Sequence, residues 1–265
     1  MNLDKELSVF DKIKFTEKNH SYQIDGEHSK SPSVTRLLKL FKKQFQVEDA
    51  AARVAKRRGV TVETVKAEWK MNNLYSTTLG TMLHKYIENY YCKNDAPFEG
   101  STDELGFAEK QKIRENLPKL VEFFQNFYSD HSHYTPLRNE FIVGDIEDTK
   151  VCGMLDMLVQ KEEDQTIEIW DFKTNKKIEH SRWGNLLEPF EDMSEGSINE
   201  YTIQLNTYKY FIEKYTNIKI SKTKIIWFNV INNNYQLFEL EDIQSKIKLM
   251  FEKYKIMTAL KDIDL

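Results

Sequence analysis

Cysteine, glycine and proline are all scarce in this chain. Two cysteines, Cys92 and Cys152, occur in 265 residues. They are too few for a disulfide framework, a four-thiolate zinc site or an iron–sulfur cluster, and they fit a reducing, cytoplasmic compartment. Nine glycines and five prolines exclude a collagen-like repeat, a Gly/Pro-rich linker and an all-β array of tight turns. No window approaches the roughly 18 consecutive apolar residues of a membrane span. The opening MNLDKELSVFDKIKF lacks the apolar stretch of a secretory signal, so no membrane partner is expected. Neither sign of charge prevails: Lys and Arg number 38 against 42 Asp and Glu, a net charge of −4. That balance excludes wholesale electrostatic wrapping of a polyanion and leaves any anionic partner to be met by a local basic patch.

What is present is enough apolar matter for a full core, 40% hydrophobic and 12% aromatic, and one domain over 1–265 is expected. Residues 13–35 alternate apolar with polar around Asp25-Gly26 and read as a hairpin, with a helix starting at Ser31-Pro32-Ser33. Helical periodicity then runs from Glu48 to Tyr91, with breaks at Gly59 and near Asn72-Asn73, and again from Asp103 to His131. Three short runs, LRNEFIVG, KVCGMLDMLVQ and TIEIWDFKT, predict an antiparallel meander, followed by a helix over 198–215, a hairpin turning at Asn232–Asn234 and a closing helix. The fold class is α/β: a central mixed sheet flanked by helices, with a helical N-terminal elaboration of which 36–75 forms an insertion.

The strongest chemical pattern is Gly153-x-x-Asp156 on one predicted strand and Asp171-Phe172-Lys173 at the end of the next. Alternation puts Asp171 and Lys173 on one face and Phe172 on the other, and the neighbouring strand brings Asp156 to the same place. Two carboxylates suit a hard divalent cation, Mg²⁺ or Mn²⁺, and a lysine beside them can serve an attacking water or offset charge on a phosphorane. A cross-strand salt bridge explains the tripeptide equally well, and Glu68-Trp69-Lys70 repeats the acid-x-Lys spacing on a helix. Three features favour the chemical alternative. Gly80-Thr81 opens a helix with His84 on its first exposed turn and Glu88 one turn on. Glu140 lies on the first strand of the meander, where an exposed strand glutamate is the alternative. Gln204 and Tyr208 share a helical face, where by itself an apolar stripe of Tyr208 with Tyr201, Leu205, Ile212 and Tyr215 explains Tyr208 better.

Taken in order, GTMLHKYIE, NEF, GMLD, DFKT and QLNTY resemble the RecB-like branch of the PD-(D/E)xK nuclease superfamily, whose motif sets occur in phage-encoded exonucleases, a mitochondrial genome maintenance exonuclease and CRISPR adaptation nucleases. The resemblance spans roughly residues 20–216 and implies a restriction-endonuclease-like core. It implies that His84, Asp156 and Asp171 bind metal with the Phe172 carbonyl as a further ligand, that Lys173 is the catalytic lysine and Glu140 an auxiliary acid, and that Gln204 and Tyr208 steady the site or contact DNA. The cluster-binding cysteines of the CRISPR relatives are missing, so no iron–sulfur cluster is expected. No G-x-x-x-x-G-K-[ST] loop occurs, so ATP is not an expected cofactor and any unwinding would come from a helicase or recombination partner.

An acidic protein that cuts DNA needs local cations. Lys176, Lys177 and Arg182 with Trp183 follow the Asp171-x-Lys173 strand directly and offer a backbone grip with a stacking face. A second track is Arg53, Lys56, Arg57 and Arg58 with Trp69 and Lys70, where a solvated helix face is the competing explanation. Ser33 and Thr35 could donate to a phosphate or simply cap a helix. The expected activity is metal-dependent hydrolysis of single-stranded or free-ended DNA. A structure- or sequence-directed endonuclease and a catalytically silent DNA-binding subunit are the alternatives.

Overall fold

In the computed structural model of the chain, residues 2–19, 21–93, 101–179 and 184–263 are described. The order is α1 (Leu3–Leu7), β1 (Ile13–Thr16), β2 (Ser21–Ile24), β3 (Glu27–His28), α2 (Val34–Leu38), α3 (Val47–Arg58), α4 (Val62–Tyr91), α5 (Phe107–Asp130), β4 (Tyr134–Gly144), β5 (Cys152–Lys161), β6 (Ile167–Lys173), α6 (Ser197–Tyr215), β7 (Ile220–Asn229), β8 (Asn234–Glu239) and α7 (Gln244–Ile263). The predicted meander is β4-β5-β6, antiparallel throughout, and β7 pairs parallel with β6 while β8 returns antiparallel. A parallel pair cannot be joined by a tight turn, and α6 supplies the crossover between β6 and β7. The result is an α/β protein with a five-stranded mixed sheet.

Strand β6 shows why this sheet needs cover on both sides. Its Ile167 and Ile169 face a core shared with α2, α6 and α7, while Trp170 and Phe172 face a second core built by α4 and α5 around Phe124 and Phe127. A strand apolar on both faces is the mark of a central, doubly covered position. Its one buried acid near the C-terminal end, Asp171, therefore stands out.

Two sequence expectations change. The turn at Asp25-Gly26, with φ of 52° and 85°, joins β2 to the short β3, and β1 adds a third strand that the single hairpin did not include. Helix α4 does not break at Asn72-Asn73; it runs unbroken for 30 residues. Asparagine costs only about 0.7 kcal/mol in a helix, and Met71, Leu74, Tyr75 and Leu79 of that segment pack on the α5 core. The true start is Thr61, whose hydroxyl accepts from Thr64 N at 3.1 Å, just past Gly59 with its left-handed φ of 68°. The insertion boundary expected at residue 75 thus falls inside α4, and no separable helical unit ends there.

The β4–β5 turn is tied to α6 by a buried acid. Asp145, 1% exposed, accepts from Lys214 Nζ at 2.7 Å, Thr149 Oγ1 at 2.7 Å, Thr149 N at 3.0 Å and the Tyr215 hydroxyl. Burial alone would raise its pKa, but the bonds from Lys214, Tyr215 and Thr149 outweigh burial and hold it at about 2, below its ordinary 3.8. A depressed carboxylate contributes stability that is complete above its unfolded pKa and vanishes as pH falls through the folded value, here between about pH 4 and pH 2. Denaturant unfolding should therefore show Asp145→Asn destabilised by about 1–3 kcal/mol at pH 7, because Lys214, Tyr215 and Thr149 lose their charged acceptor while Lys214 keeps only the exposed Asp148 at 2.8 Å. The gap from the parent should shrink at pH 2.5; a constant gap would assign the loss to shape instead of charge.

Candidate metal centre and its surroundings

Strand register assembles the acids. Asn139 and Phe141 of β4 pair with Met157 and Leu155 of β5, which sets Glu140 across from Asp156. The β5–β6 ladder ends at Met157 and Trp170, and beyond that pair the two strands part. At the parting the Asp156 carboxylate replaces the missing ladder partner, accepting from Phe172 N–H at 2.6 Å. The carbonyl of the same Phe172 lies 2.9 Å from His84 Nε2, so one peptide group orients both a carboxylate and an imidazole. With Nε2–H donating to that carbonyl, Nδ1 is the ring atom left for a ligand role. It faces Asp156 Oδ1 at 3.6 Å and Glu140 Oε1 at 3.7 Å.

One donor atom from each of His84, Glu140 and Asp156 therefore falls within 4.8 Å of the others. An imidazole with two carboxylates matches Mn²⁺ or Mg²⁺ better than a thiolate-seeking metal. Burial alone would lower the His84 pKa, but Asp156 and Glu140 outweigh it and hold the ring at about 9, so a cation at Nδ1 would have to displace a proton. Glu140 has a φ of 44°, a left-handed backbone in mid-strand that L residues avoid at roughly 1–2 kcal/mol, placed at a ligand position.

Asp171 lies outside this trio. It is 2% exposed and forms an ion pair with Lys173 Nζ, with Phe172 buried on the opposite side, as alternation predicts. Burial and the Asp156 charge raise the Asp171 pKa against the pull of Lys173; burial would lower Lys173, but Asp171 and Asp156 raise it further, so the lysine keeps its proton. The Phe172 carbonyl, expected as a metal ligand, accepts a hydrogen bond from His84 Nε2 at 2.9 Å. His84 itself sits deep within α4, not on a first turn. Gly80 is there for another reason: a Cβ on it would lie 3.3 Å from Thr174 Oγ1, where α4 crosses the chain leaving β6. Glu88 bonds Lys85 at 2.8 Å and takes no part in the trio.

The other expected residues distribute around this point. Ser33, Thr35, Gln204 and Tyr208 line one cavity together with Thr81 and Gly153, and Gln204 Nε2 donates to Tyr208 Oη at 3.0 Å. Lys176 lines a second cavity on the α4–α5 side, and Lys177 lies 4.0 Å from Glu179. Arg182 and Trp183 lie outside the described residues. Arg57 is exposed on α3, whereas Arg58 forms a bidentate pair with Glu68 at 2.6 and 2.9 Å, which makes the Glu68 of the acid-x-Lys decoy part of a helix–helix brace.

One residue escaped the sequence reading. Tyr201 was assigned to an apolar stripe, yet Lys173 Nζ stands 5.1 Å from the centre of its ring. Its spacing from Gln204 and Tyr208, i, i+3 and i+7, was the available signal that it shares their face. No family matches the chain in a scan of protein families, and no curated protein matches it. Among solved structures the chain is similar to one described as the crystal structure of SSO0001, with 13% identity over 67% of this chain and 74% of that one and a TM-score of 0.31, a likeness too slight to settle fold or activity.

Proposed function

We propose that the protein is a divalent-metal-dependent deoxyribonuclease on a restriction-endonuclease-like core, acting on single-stranded or free-ended DNA. The observation that carries this reading is the convergence of His84 Nδ1 and the Glu140 and Asp156 carboxylates within 4.8 Å, beside a lysine kept charged by buried Asp171. The donor set fits Mn²⁺ or Mg²⁺, and such an ion, when bound, supplies Lewis-acid stabilisation of phosphoryl charge and a more acidic water. The chain's own residues do the remainder. Asp156 and Glu140 fix the acidic pole, His84 is oriented by the Phe172 carbonyl, and Lys173 presents an ammonium where negative charge grows on the phosphoryl oxygens. Gln204 and the hydroxyls of Ser33 and Thr35 offer neutral donors on one side of the cluster, while Lys176 and Lys177 offer cations on the other.

The test is incubation of labelled linear and circular single-stranded DNA with Mn²⁺, Mg²⁺ or a chelator. The expected result is degradation of the linear strand with either metal, survival of the circle and no reaction in chelator. Nicking of the circle by homogeneous enzyme would replace the exonuclease by an endonuclease, and inert DNA under every divalent ion tried would overturn the proposal.

A further inference from the structure

A cavity of about 430 Å³ lies between α4, α5, the segment after β6 and the end of the β7–β8 hairpin, within the roughly 300–1,000 Å³ span of small-ligand sites. Thr174, which lines it, directly follows Lys173 at the end of β6. Tyr75, Leu79 and Ile231 give it apolar walls, and the Asn116 and Asn175 amides reach its surface. Two ammonium groups flank it: Lys176 has no ion-pair partner among the described residues, and Lys112 is met by Glu109 at 3.6 Å. The cavity is preformed. Trp227 Nε1 donates to the Asn175 carbonyl at 2.7 Å, Asn229 Nδ2 to the Lys176 carbonyl at 3.3 Å, and Asn116 Nδ2 to Tyr75 Oη at 2.9 Å.

We infer that this cavity is a subsite for one unpaired nucleotide next to the scissile phosphate. The base rests against Tyr75 and Ile231, and the adjoining phosphates are met by Lys112 and Lys176. The position of the scissile phosphate rests on the nuclease reading; the chemistry of the cavity does not. Apolar walls with amides at their edge suit a heteroaromatic ring, which has apolar faces and a hydrogen-bonding rim. Ammonium groups on two sides complement the charge on either side of a nucleotide. A base still paired brings its partner strand with it and does not enter a cavity of this size, so the subsite selects single strands. The large exposed surface of Ile231, 62%, is then a contact surface awaiting a base.

Binding in EDTA tests this without any hydrolysis. A six-nucleotide oligothymidylate is compared, by fluorescence anisotropy, with an abasic oligodeoxynucleotide of the same length and charge. The parent should prefer the thymidylate about tenfold, and both Tyr75→Leu and Ile231→Glu should close most of that gap. Ile231→Glu alters an exposed side chain, which keeps the test valid if Tyr75→Leu folds poorly. Lys112→Gln with Lys176→Gln should flatten the log–log salt dependence by roughly 0.7 per lost phosphate contact. A parent that does not distinguish the two oligomers, or variants that distinguish them as well as the parent, would overturn the subsite. Failure of Mn²⁺ to support hydrolysis of the same thymidylate would count against the nuclease reading alone.

Discussion

Asp156→Asn should lower Mn²⁺-supported DNA hydrolysis by at least about 10²-fold while leaving the protein folded. Asparagine keeps the shape and one oxygen, which can still accept from Phe172 N–H where Asp156 Oδ2 does now at 2.6 Å. What it removes is the negative charge facing His84 and Glu140. Calorimetric Mn²⁺ titration should show binding lost together with activity, and full activity at saturating Mn²⁺ would end the metal reading. His84→Ala is the companion measurement, expected to weaken Mn²⁺ affinity; superimposable titrations would make His84 structural. Asp171 and Lys173 are poorer targets than their motif invites. They lie at a strand end, but Asp171 is 2% exposed, and Lys173→Ala would strand its charge at a cost of about 3–5 kcal/mol. The isosteric pair Asp171→Asn with Lys173→Met separates chemistry from folding at that position.

Gly153→Ala should destabilise the protein by about 1–3 kcal/mol, the usual effect of overpacking a rigid core. A Cβ there would lie 2.6 Å from Tyr208 Cε1 and 3.1 Å from Val34 Cγ2, and both side chains are buried, at 2% and 0% exposure. Neither can swing aside, so β5 and α6 must separate. Because Tyr208 carries the bond to Gln204, thermal unfolding and activity should fall together. Adding Tyr208→Leu to Gly153→Ala should cost less than the sum of the single changes, since the second removes the ring that the first strikes; strict additivity would place the clash elsewhere.

Most strands were legible because β-branched runs and charged turns leave little choice, and they carried Asp156 to the middle of β5 and Asp171 close to the C-terminal end of β6. What sequence could not deliver was register. Glu140 joins the trio because β4 pairs with β5 as Asn139↔Met157 and Phe141↔Leu155, a relation no local pattern encodes. The burial of Asp171 was hidden for a similar reason: motif spacing shows that two side chains share a face but not which one is covered. At Gly80-Thr81 the error was local. A glycine before a threonine reads as the start of a helix, whereas here glycine answers a crossing chain at Thr174.

That crossing gives α4 a mechanical character. Thirty residues without a break make a rod of about 45 Å at 1.5 Å per residue, and Gly80 marks the point where the chain leaving β6 crosses it. Trp69 lies eleven residues, about 16 Å, to one side of this point, and His84 four residues, about 6 Å, to the other. An unbroken helix has no hinge, so its outer arm cannot fold down like a flap. Hydrogen exchange should accordingly protect α4 as one cooperative unit from Val65 to Ile87, with no step at Asn72-Asn73. Trp69 and His84 therefore stand on one rigid element, fifteen residues or about 22 Å apart along its axis.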